Sequence, residues 1–156
     1  MCEPAVKTIL YVNHSSKLSG AEMSLLDLLR RLDRKRFRPL VAIPEDGPLA
    51  GRVREIGLNP HYVTMERIHR TWNILRLLRY ATSIRHGARQ LREIIKAEAV
   101  DLVHSNSTTA HIYTCRATSG TSIPAIWHVR DMVNLGLLGR WLARRSSRII
   151  AISQAV

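Results

Sequence analysis

Cysteine, aromatic residues and acidic residues are scarce in this chain, and each shortage excludes a class of protein. The two cysteines, Cys2 and Cys115, are too far apart to indicate a disulfide framework or a metal site. Only 5% of the residues are aromatic but 46% are hydrophobic, a composition typical of a folded domain. The apolar runs are too short to span a bilayer, and Lys7 interrupts the segment where a signal peptide would need its apolar core. We therefore expect a single cytoplasmic domain of 156 residues.

The shortage of acidic residues leaves a strong positive charge. Twelve Asp and Glu residues stand against 24 Lys and Arg residues, a formal net charge of +12. Such a field attracts nucleic acid, anionic lipid or a phosphorylated ligand. For most individual arginines, the alternative is a solvated surface position without a partner.

Strand-like and helix-like segments alternate along the chain. The apolar runs that predict strands cover residues 9–12, 37–43, 61–64, 101–105, 123–129 and 148–152. The predicted helices begin at Gly20, cover 49–56 and 72–99, run from 107 or 108 to near 120, and cover 135–145.

Two of these helices show an apolar stripe at helical spacing. In the first helix the stripe consists of Leu25, Leu28, Leu29 and Leu32. In the long third helix it consists of Leu77, Leu78, Ala81, Ile84, Ala88, Leu91 and Ile95. Gly87 interrupts this long helix, where a glycine favours a kink.

The alternation predicts a doubly wound α/β fold. We expect a Rossmann-like, three-layer α/β/α domain with a six-stranded parallel sheet in the order 3-2-1-4-5-6. Ligands of such sheets bind at the carboxyl ends of the strands, where the strand order reverses. Three loops should therefore meet at one crevice: residues 13–22, 105–107 and 128–131.

The first of these loops contains the sequence Ser19-Gly20-Ala21-Glu22. Its single glycine does not match the G-x-G-x-x-G pattern of dinucleotide-binding proteins, and the loop lacks the Lys-Ser/Thr of a P-loop. A nucleotide-cofactor oxidoreductase is therefore improbable. The small residues permit close approach of a ligand to the backbone, whereas a tight turn with Glu22 at the positive end of the helix dipole is the structural alternative.

Polar residues also follow the fourth and fifth predicted strands. His128 ends the fifth strand, where it could donate to a substrate hydroxyl, with Arg130 placed to meet a phosphate and Asp131 to fix the tautomer of the histidine. His104 and Asn106 end the fourth strand, where Asn106 could contact sugar hydroxyls; the alternative is that Asn106 or Ser107 caps the next helix. The histidine spacing indicates no metal site.

The long helix carries much of the positive charge. Arg85, Arg89 and Arg92 fall in one sector, whereas Arg76 and Arg79 fall on roughly the opposite side, so no continuous basic stripe for nucleic acid is present. The mixture of apolar, aromatic and basic residues at its start suits an anionic membrane surface. A helix packed on the sheet with a solvated basic face is the alternative.

Taken together, four segments resemble a known family. They are ILYVNHSSKLSGAEMSLLDLLRRL, DLVHSNS, IPAIWHVRD and RIIAISQ, which begin at residues 9, 101, 123 and 148. This combination resembles the N-terminal domain of the family 4 glycosyltransferases, retaining enzymes with two Rossmann-like domains in the GT-B architecture. The resemblance covers essentially the whole chain.

The resemblance implies a role for several residues. Residues 1–156 would form the acceptor-side domain, and a C-terminal domain absent from this chain would hold most of a nucleotide-diphosphate sugar, with no metal or other cofactor. By position, Gly20 and Ala21 would approach the donor phosphates and the acceptor, His128 would contact the transferred sugar, and Ser153 would open the passage to the second domain.

These implications define the expected function. We expect half of a transferase that builds a polysaccharide, a lipid-linked sugar or a cell-envelope glycan at the cytoplasmic face of a membrane, inactive as a fragment. Its substrate-binding residues would be Ser19, Gly20, Ala21, Glu22, His104, Asn106, Arg130, Asp131 and Ser153, with His128 catalytic. The alternative is a non-catalytic basic α/β module that binds nucleic acid or another polyanion.

Overall fold

The computed structural model describes residues 5–69, 71–130 and 135–152. Strands and helices alternate along this part of the chain. The strands are β1 (Lys7–Val12), β2 (Phe37–Ile43), β3 (Pro60–Tyr62), β4 (Leu102–Ser105), β5 (Ala125–Val129) and β6 (Arg148–Ala151). The helices are α1 (Gly20–Arg31), α2 (Pro48–Glu55), α3 (Ile74–Ala97), α4 (Thr108–Thr118) and α5 (Gly136–Arg144). Each predicted element is present, with ends that differ from the prediction by a few residues.

The strands form one parallel sheet, in the order β3-β2-β1-β4-β5-β6. This confirms the predicted order. Because every strand points the same way, all carboxyl ends lie along one side of the sheet, here called the carboxyl edge, and all amino ends lie along the opposite amino edge. The strand order reverses between β1 and β4, and sheets of this kind bind their ligands beyond the carboxyl ends of the strands at such a point.

Apolar side chains of β1 alternate between two hydrophobic cores, one on each face of the sheet. Ile9 and Tyr11 pack with the apolar faces of α1 and α2. Leu10 and Val12 pack with α3 and α4 on the other face. A smaller third core joins Trp127 of β5 to α4 and α5. The result is the predicted α/β/α arrangement of three layers.

Helix α1 departs from its predicted apolar stripe at one position. Leu25 and Leu29 are buried as expected, but Leu28 is exposed, and Leu26 and Glu22 are buried instead. The buried face is therefore rotated toward Glu22. This rotation carries a carboxylate into the protein at the carboxyl edge.

Helix α3 packs against the rest of the protein mainly through its second half, and in its first half only Tyr80 and Ser83 are buried. Ala88, Leu91 and Ile95 are buried, as predicted. The prediction was wrong for Leu77, Leu78 and Ala81, which are exposed. The reason is length: 24 residues make a helix of about 36 Å, far longer than the strands it covers.

Gly87 serves close packing and leaves α3 unbroken from Ile74 to Ala97. A Cβ atom at this position would lie 2.2 Å from the carbonyl oxygen of Thr64 and 2.9 Å from the ring of Tyr113. The glycine thus lets α3 approach α4 and the segment after β3, which accounts for it without the predicted kink. The ring of Tyr113 is completely buried, and its hydroxyl lies 2.7 Å from Oγ of Ser83 on α3.

Candidate active site at the carboxyl edge

Three polar residues at the carboxyl edge each directly follow a neighbouring strand. Asn13 follows β1, Asn106 follows β4 and Arg130 follows β5. Nδ2 of Asn106 donates to Oδ1 of Asn13 at 3.0 Å, and Nε of Arg130 donates to Oδ1 of Asn106 at 3.1 Å. The predicted convergence of the three loops is therefore present. Asn13 was missed as a site residue, although its place directly after a buried strand was a usable signal.

Glu22 ends this chain of hydrogen bonds on the other side. Nδ2 of Asn13 donates to Oε1 of Glu22 at 3.1 Å. A guanidinium only donates and a carboxylate only accepts, so the orientation of both amides between them is fixed. We call Glu22, Asn13, Asn106 and Arg130 the edge network. It connects a positive to a negative charge through two amides, and both amides and the carboxylate are buried.

Glu22 also organises the loop before α1. Its Oε2 accepts from the backbone N–H of Ser19 at 3.1 Å and from the Ser19 hydroxyl, which makes Ser19 and Glu22 a capping box. The hydrogen bonds of this carboxylate go to the protein, so in the structure Glu22 positions the loop. Its predicted contact with substrate stays a prediction.

Gly20 and Ala21 form the first turn of α1, beside the network. A Cβ atom at Gly20 would meet no protein atom within 4 Å, so no packing contact requires the glycine. The carbonyl oxygen of Ala21 accepts from Nδ2 of Asn106 at 3.2 Å, which fixes this turn against β4. The free space beside Gly20 is compatible with the predicted approach of a ligand to this turn.

Two histidines stand side by side on β4 and β5. The ring centroids of His104 and His128 are 5.6 Å apart, and Tyr11 of β1 lies 5.2 Å from His104 on its other side. The pKa of His128 is lowered to about 4, mainly by burial and to a smaller extent by the charge of Arg130. The pKa of His104 is also lowered to about 4, mainly by burial and to a smaller extent by His128 and Arg130. Both rings are therefore neutral near pH 7.

Arg130 determines the tautomer of His128. Its Nη2 lies 3.3 Å from Nδ1 of His128, and because a guanidinium only donates, Nδ1 accepts. The proton of the neutral ring is then on Nε2, which makes this atom a hydrogen-bond donor. Nη2 of Arg130 also donates to Oγ of Ser24 on α1 at 3.1 Å, and burial lowers the pKa of Arg130. Ser24 was not anticipated, because 106 residues separate it from Arg130.

The other predicted residues fall into two groups. Ser107 caps α4 by accepting from the N–H of Ala110, and its hydroxyl lies 2.8 Å from Nδ1 of His14, so the capping role belongs to Ser107 and not to Asn106. Asp131 and Ser153 lie outside the described residues. Among the residues that the structure describes, no group of histidine, cysteine and acidic side chains could hold a metal ion.

A second polar cluster lies in the third core, and its geometry indicates a structural role. His111 stacks on Trp127 at 5.2 Å, and its Nε2 lies 2.9 Å from Oγ of Ser146. Burial lowers the pKa of His111 to about 4 and raises that of the adjacent Cys115 thiol to about 11. A buried protonated thiol and a buried neutral imidazole fill the core and do not form a reactive pair.

The sequence model of Glycosyltransferase Family 4 matches residues 18–156. The chain belongs to this family. The match covers the candidate site from the loop before α1 onward. No curated protein sequence matches the chain significantly.

Solved structures share the fold of this family 4 domain. HepE (Alr3699) of Anabaena, in complex with UDP-glucose, is 22% identical, with a TM-score of 0.66 over 95% of this chain and 38% of that one. MurG of Acinetobacter baumannii is 12% identical, with a TM-score of 0.70 over 97% of this chain and 43% of that one. A glycosyltransferase of Rickettsia africae is 19% identical, with a TM-score of 0.69 over 95% and 37%. The family 4 domain thus has the fold of one of the two domains of a GT-B enzyme, and it spans about two fifths of the length of these relatives.

Proposed function

We propose that this domain is the N-terminal, acceptor-side half of a retaining glycosyltransferase, whose C-terminal half holds most of a nucleotide-diphosphate sugar. The enzyme would transfer the sugar to a glycan or a lipid-linked acceptor during synthesis of a polysaccharide or cell-envelope glycan. One observation carries the proposal: the edge network brings Arg130 and the Nε2–H of His128 together at the crevice where a parallel sheet binds ligands.

Arg130 supplies the positive charge for the departing diphosphate. As the bond between the anomeric carbon and the diphosphate oxygen breaks, negative charge grows on the diphosphate. Asn106 and Ser24 already hold the guanidinium, so little reorganisation is needed when that charge develops. Its partial burial strengthens the interaction relative to an exposed arginine.

His128 supplies a neutral hydrogen-bond donor. A pKa of about 4 means that the ring carries no charge near pH 7, so Nε2–H donates to a sugar hydroxyl without acting as an acid. We assign this histidine to the orientation of the transferred sugar and to stabilisation of its reacting form. His104, packed between Tyr11 and His128, supports the position of the ring.

The proposed reaction keeps the anomeric configuration without a protein nucleophile. The acceptor oxygen bonds to the anomeric carbon on the face from which the diphosphate leaves, and the proton of the acceptor hydroxyl moves to the departing phosphate oxygen. The protein contributes position and charge stabilisation. The Ser107 hydroxyl lies 2.8 Å from Nδ1 of His14, but it also accepts from the N–H of Ala110 as the cap of α4, so we assign this pair to the support of α4 and not to nucleophilic attack.

The donor class is proposed from the family and its structural relatives. HepE was solved with UDP, with UDP and glucose, and with UDP-glucose, which supports a nucleotide-diphosphate sugar as the donor here. In this division of labour, the N-terminal half supplies Arg130 for the diphosphate and His128 for the sugar. A cytoplasmic location remains a prediction from the sequence.

The alternative, a basic module for nucleic acid, depends on net charge alone. Several of the basic groups are used within the protein: Arg92 donates to the carbonyl oxygens of Arg116, Ala117 and Ser119, and Arg38 pairs with Glu98. A filter-binding assay with nucleic acid at several salt concentrations tests this alternative. The alternative requires measurable binding whose affinity falls steeply as the salt concentration rises.

The proposal is tested by expressing the chain alone and joined to the coding sequence that follows it. We expect the longer protein to transfer a sugar from a nucleotide-diphosphate donor with retained configuration, measured by NMR of the product, and the 156-residue chain to be inactive. Inversion of configuration, or full activity of the chain alone, would contradict the proposal.

Arg130→Gln in the longer protein tests the assigned site. We expect a fall in kcat/KM of roughly a hundredfold, a scale typical of losing one charge-stabilising group. Arg38→Gln is the matched control, because Arg38 is also a hydrogen-bonded arginine but lies at the amino edge. Equal effects of the two substitutions would refute the site.

A further inference from the structure

The first turns of α3 extend beyond the carboxyl edge. At its C-terminal end, Glu98 pairs with Arg38 near the start of β2, which places that end of the helix at the amino edge. The helix is about 36 Å long, whereas β1, with six residues, spans about 20 Å. The opposite end of α3 therefore projects past the edge that carries the candidate active site.

This projecting end is rich in exposed apolar side chains. Trp72 is 87% exposed, Ile74 69%, Leu75 72% and Leu78 61%. Single exposed apolar residues are ordinary on a protein surface, but a contiguous group of this size is a sign of an interaction surface. No helix among the described residues is long and apolar enough to cross a membrane. Any membrane contact of α3 would therefore lie along the surface.

The same side of α3 continues into basic residues. At about 100° per residue, Ile74, Leu78, Arg85 and Arg89 fall within a sector about 60° wide, which points away from the buried face that contains Leu91. Leu75 lies at its margin. We call these five residues the outer face of α3. It is apolar at the carboxyl edge and basic farther along, and the whole helix contains six basic residues and one acidic residue.

The structure separates the basic residues of α3 into those with partners in the protein and those that face outward. Arg92 donates to three carbonyl oxygens at the end of α4, and Arg79 forms an ion pair with Glu66 at 3.0 Å on a side of the helix that lies outside the outer face. Arg89 has an exposed contact with Glu93 at 3.9 Å, a type of pair that contributes little. Of the arginines that the sequence offered for contact with a membrane, Arg85 and Arg89 are therefore the ones that lie on the outer face.

We propose that the outer face of α3 binds an anionic lipid bilayer, with Ile74, Leu75 and Leu78 in the interface and Arg85 and Arg89 against the phosphates. Helices that lie on anionic membranes insert apolar side chains into the interface and place basic side chains against the lipid phosphates. Because the apolar end lies past the carboxyl edge, the bilayer would be brought beside the crevice. This selects a lipid-linked acceptor from the two acceptor classes considered above, a choice that rests on the proposed function.

The experiment measures co-sedimentation of the full chain with two kinds of vesicle. We expect binding to vesicles of phosphatidylcholine and phosphatidylglycerol in equal parts, weakened by salt, and little binding to phosphatidylcholine alone. Arg85→Glu with Arg89→Glu should weaken binding by about tenfold or more, because two attractive charges become repulsive. Ile74→Ser with Leu78→Ser should do the same by removing the apolar contact.

Matched controls separate this face from general stickiness and from misfolding. Leu137→Ser removes a leucine that is also highly exposed but lies on α5, and should leave binding unchanged. Far-UV circular dichroism of each variant should match the parent. Trp72 adds a direct signal: its fluorescence should shift to the blue with anionic vesicles, and Trp72→Phe should remove most of that shift.

Several results would overturn the proposal. These are no binding to anionic vesicles, equal weakening by Leu137→Ser, or a self-associated chain that becomes monomeric in the Ile74→Ser, Leu78→Ser variant, which would make a second copy the occupant. Vesicle binding requires neither donor nor acceptor, so failure of the transferase assay would leave this result standing. Conversely, an active transferase that ignores anionic vesicles would refute the membrane face alone.

Discussion

The two edges of the sheet handle charge in opposite ways. At the amino edge, Lys7 pairs with Asp101 and Arg38 with Glu98, both as partly exposed ion pairs between surface side chains. At the carboxyl edge, Glu22 and Arg130 are connected through buried Asn13 and Asn106. Exposed pairs contribute little and are easily replaced, whereas a buried polar network is costly to break. The difference indicates that exposed pairs join the surface at the amino edge, whereas buried hydrogen bonds fix the side chains of the candidate site at the carboxyl edge.

Loss of His128 should have the largest effect at the carboxyl edge. In the longer protein, His128→Ala should lower kcat/KM by roughly tenfold to a thousandfold, the range for one positioned hydrogen-bonding group. His128→Gln should recover part of the activity, because its amide can place a donor near the position of Nε2. His69→Ala, which removes an exposed histidine, is the control. Unchanged turnover of His128→Ala would remove the assigned role.

Removal of one carboxylate from each edge compares their contributions to stability directly. Glu22→Ala should lower the free energy of unfolding by about 2–3 kcal/mol, since the buried amide of Asn13 and the partly buried N–H of Ser19 lose their acceptor. Glu98→Ala should have little effect, because its side chain is partly exposed and its carbonyl oxygen still accepts from Arg38. Urea denaturation of both variants measures the difference. Equal losses would mean that burial at the carboxyl edge has no special energetic role.

Acidification should weaken the fold through its buried histidines. Burial lowers the pKa values of His104, His111 and His128 to about 4, from an ordinary value near 6.5. The unfolded chain binds protons first, so stability is complete above about pH 6.5 and is lost as pH falls toward about 4. Urea midpoints across this range should decline, and less so in His104→Phe, which keeps an aromatic ring without a titrating group. A flat profile would contradict the burial of these rings.

The smallest effect is expected at the amino edge. Asp101→Asn keeps an oxygen that can accept from the N–H of Thr8 and removes only the charge opposite Lys7. The thermal midpoint should then stay within measurement error at physiological salt, because exposed pairs are screened. A clear fall, reversed in a Lys7→Met background, would show that the amino edge also depends on charge.

The sequence predicted the positions of strands and helices better than it predicted which side of each helix is buried. Apolar runs bounded by glycine and proline located the strands, and their alternation with helices implied the parallel order, because crossovers between parallel strands have one hand. The buried side of α1 and the exposed start of α3 were harder to predict from the sequence. Leu28 and Leu77 have the spacing of core residues. Leu28 is exposed because the buried face of α1 is rotated toward Glu22, and Leu77 is exposed because the start of α3 lies beyond the sheet.

In the candidate site, too, the positions of residues in the fold were predictable and their side-chain contacts were not. That Asn106 and Arg130 lie at the ends of adjacent strands was predictable from chain order alone. Their hydrogen bond was not, nor was the contact of Asn106 with Asn13, 93 residues away, because side-chain partners across a sheet depend on register and rotamer. Gly20 lies beside the edge network and its approach to a ligand stays a prediction, whereas Gly87 was taken for a kink because the sequence does not show which ring a helix packs against.

The sequence by itself determined the layered α/β architecture, the strand order, the family and the edge at which the polar residues of the candidate site gather. These properties depend on hydrophobic periodicity and chain direction, which are local or follow from the order of elements. The tertiary structure alone decided the pairing of Glu22 with Arg130 through two amides, the neutral state and tautomer of His128, and the free end of α3. These depend on distances between atoms that are remote in the chain, and on burial, which exists only once the chain has folded.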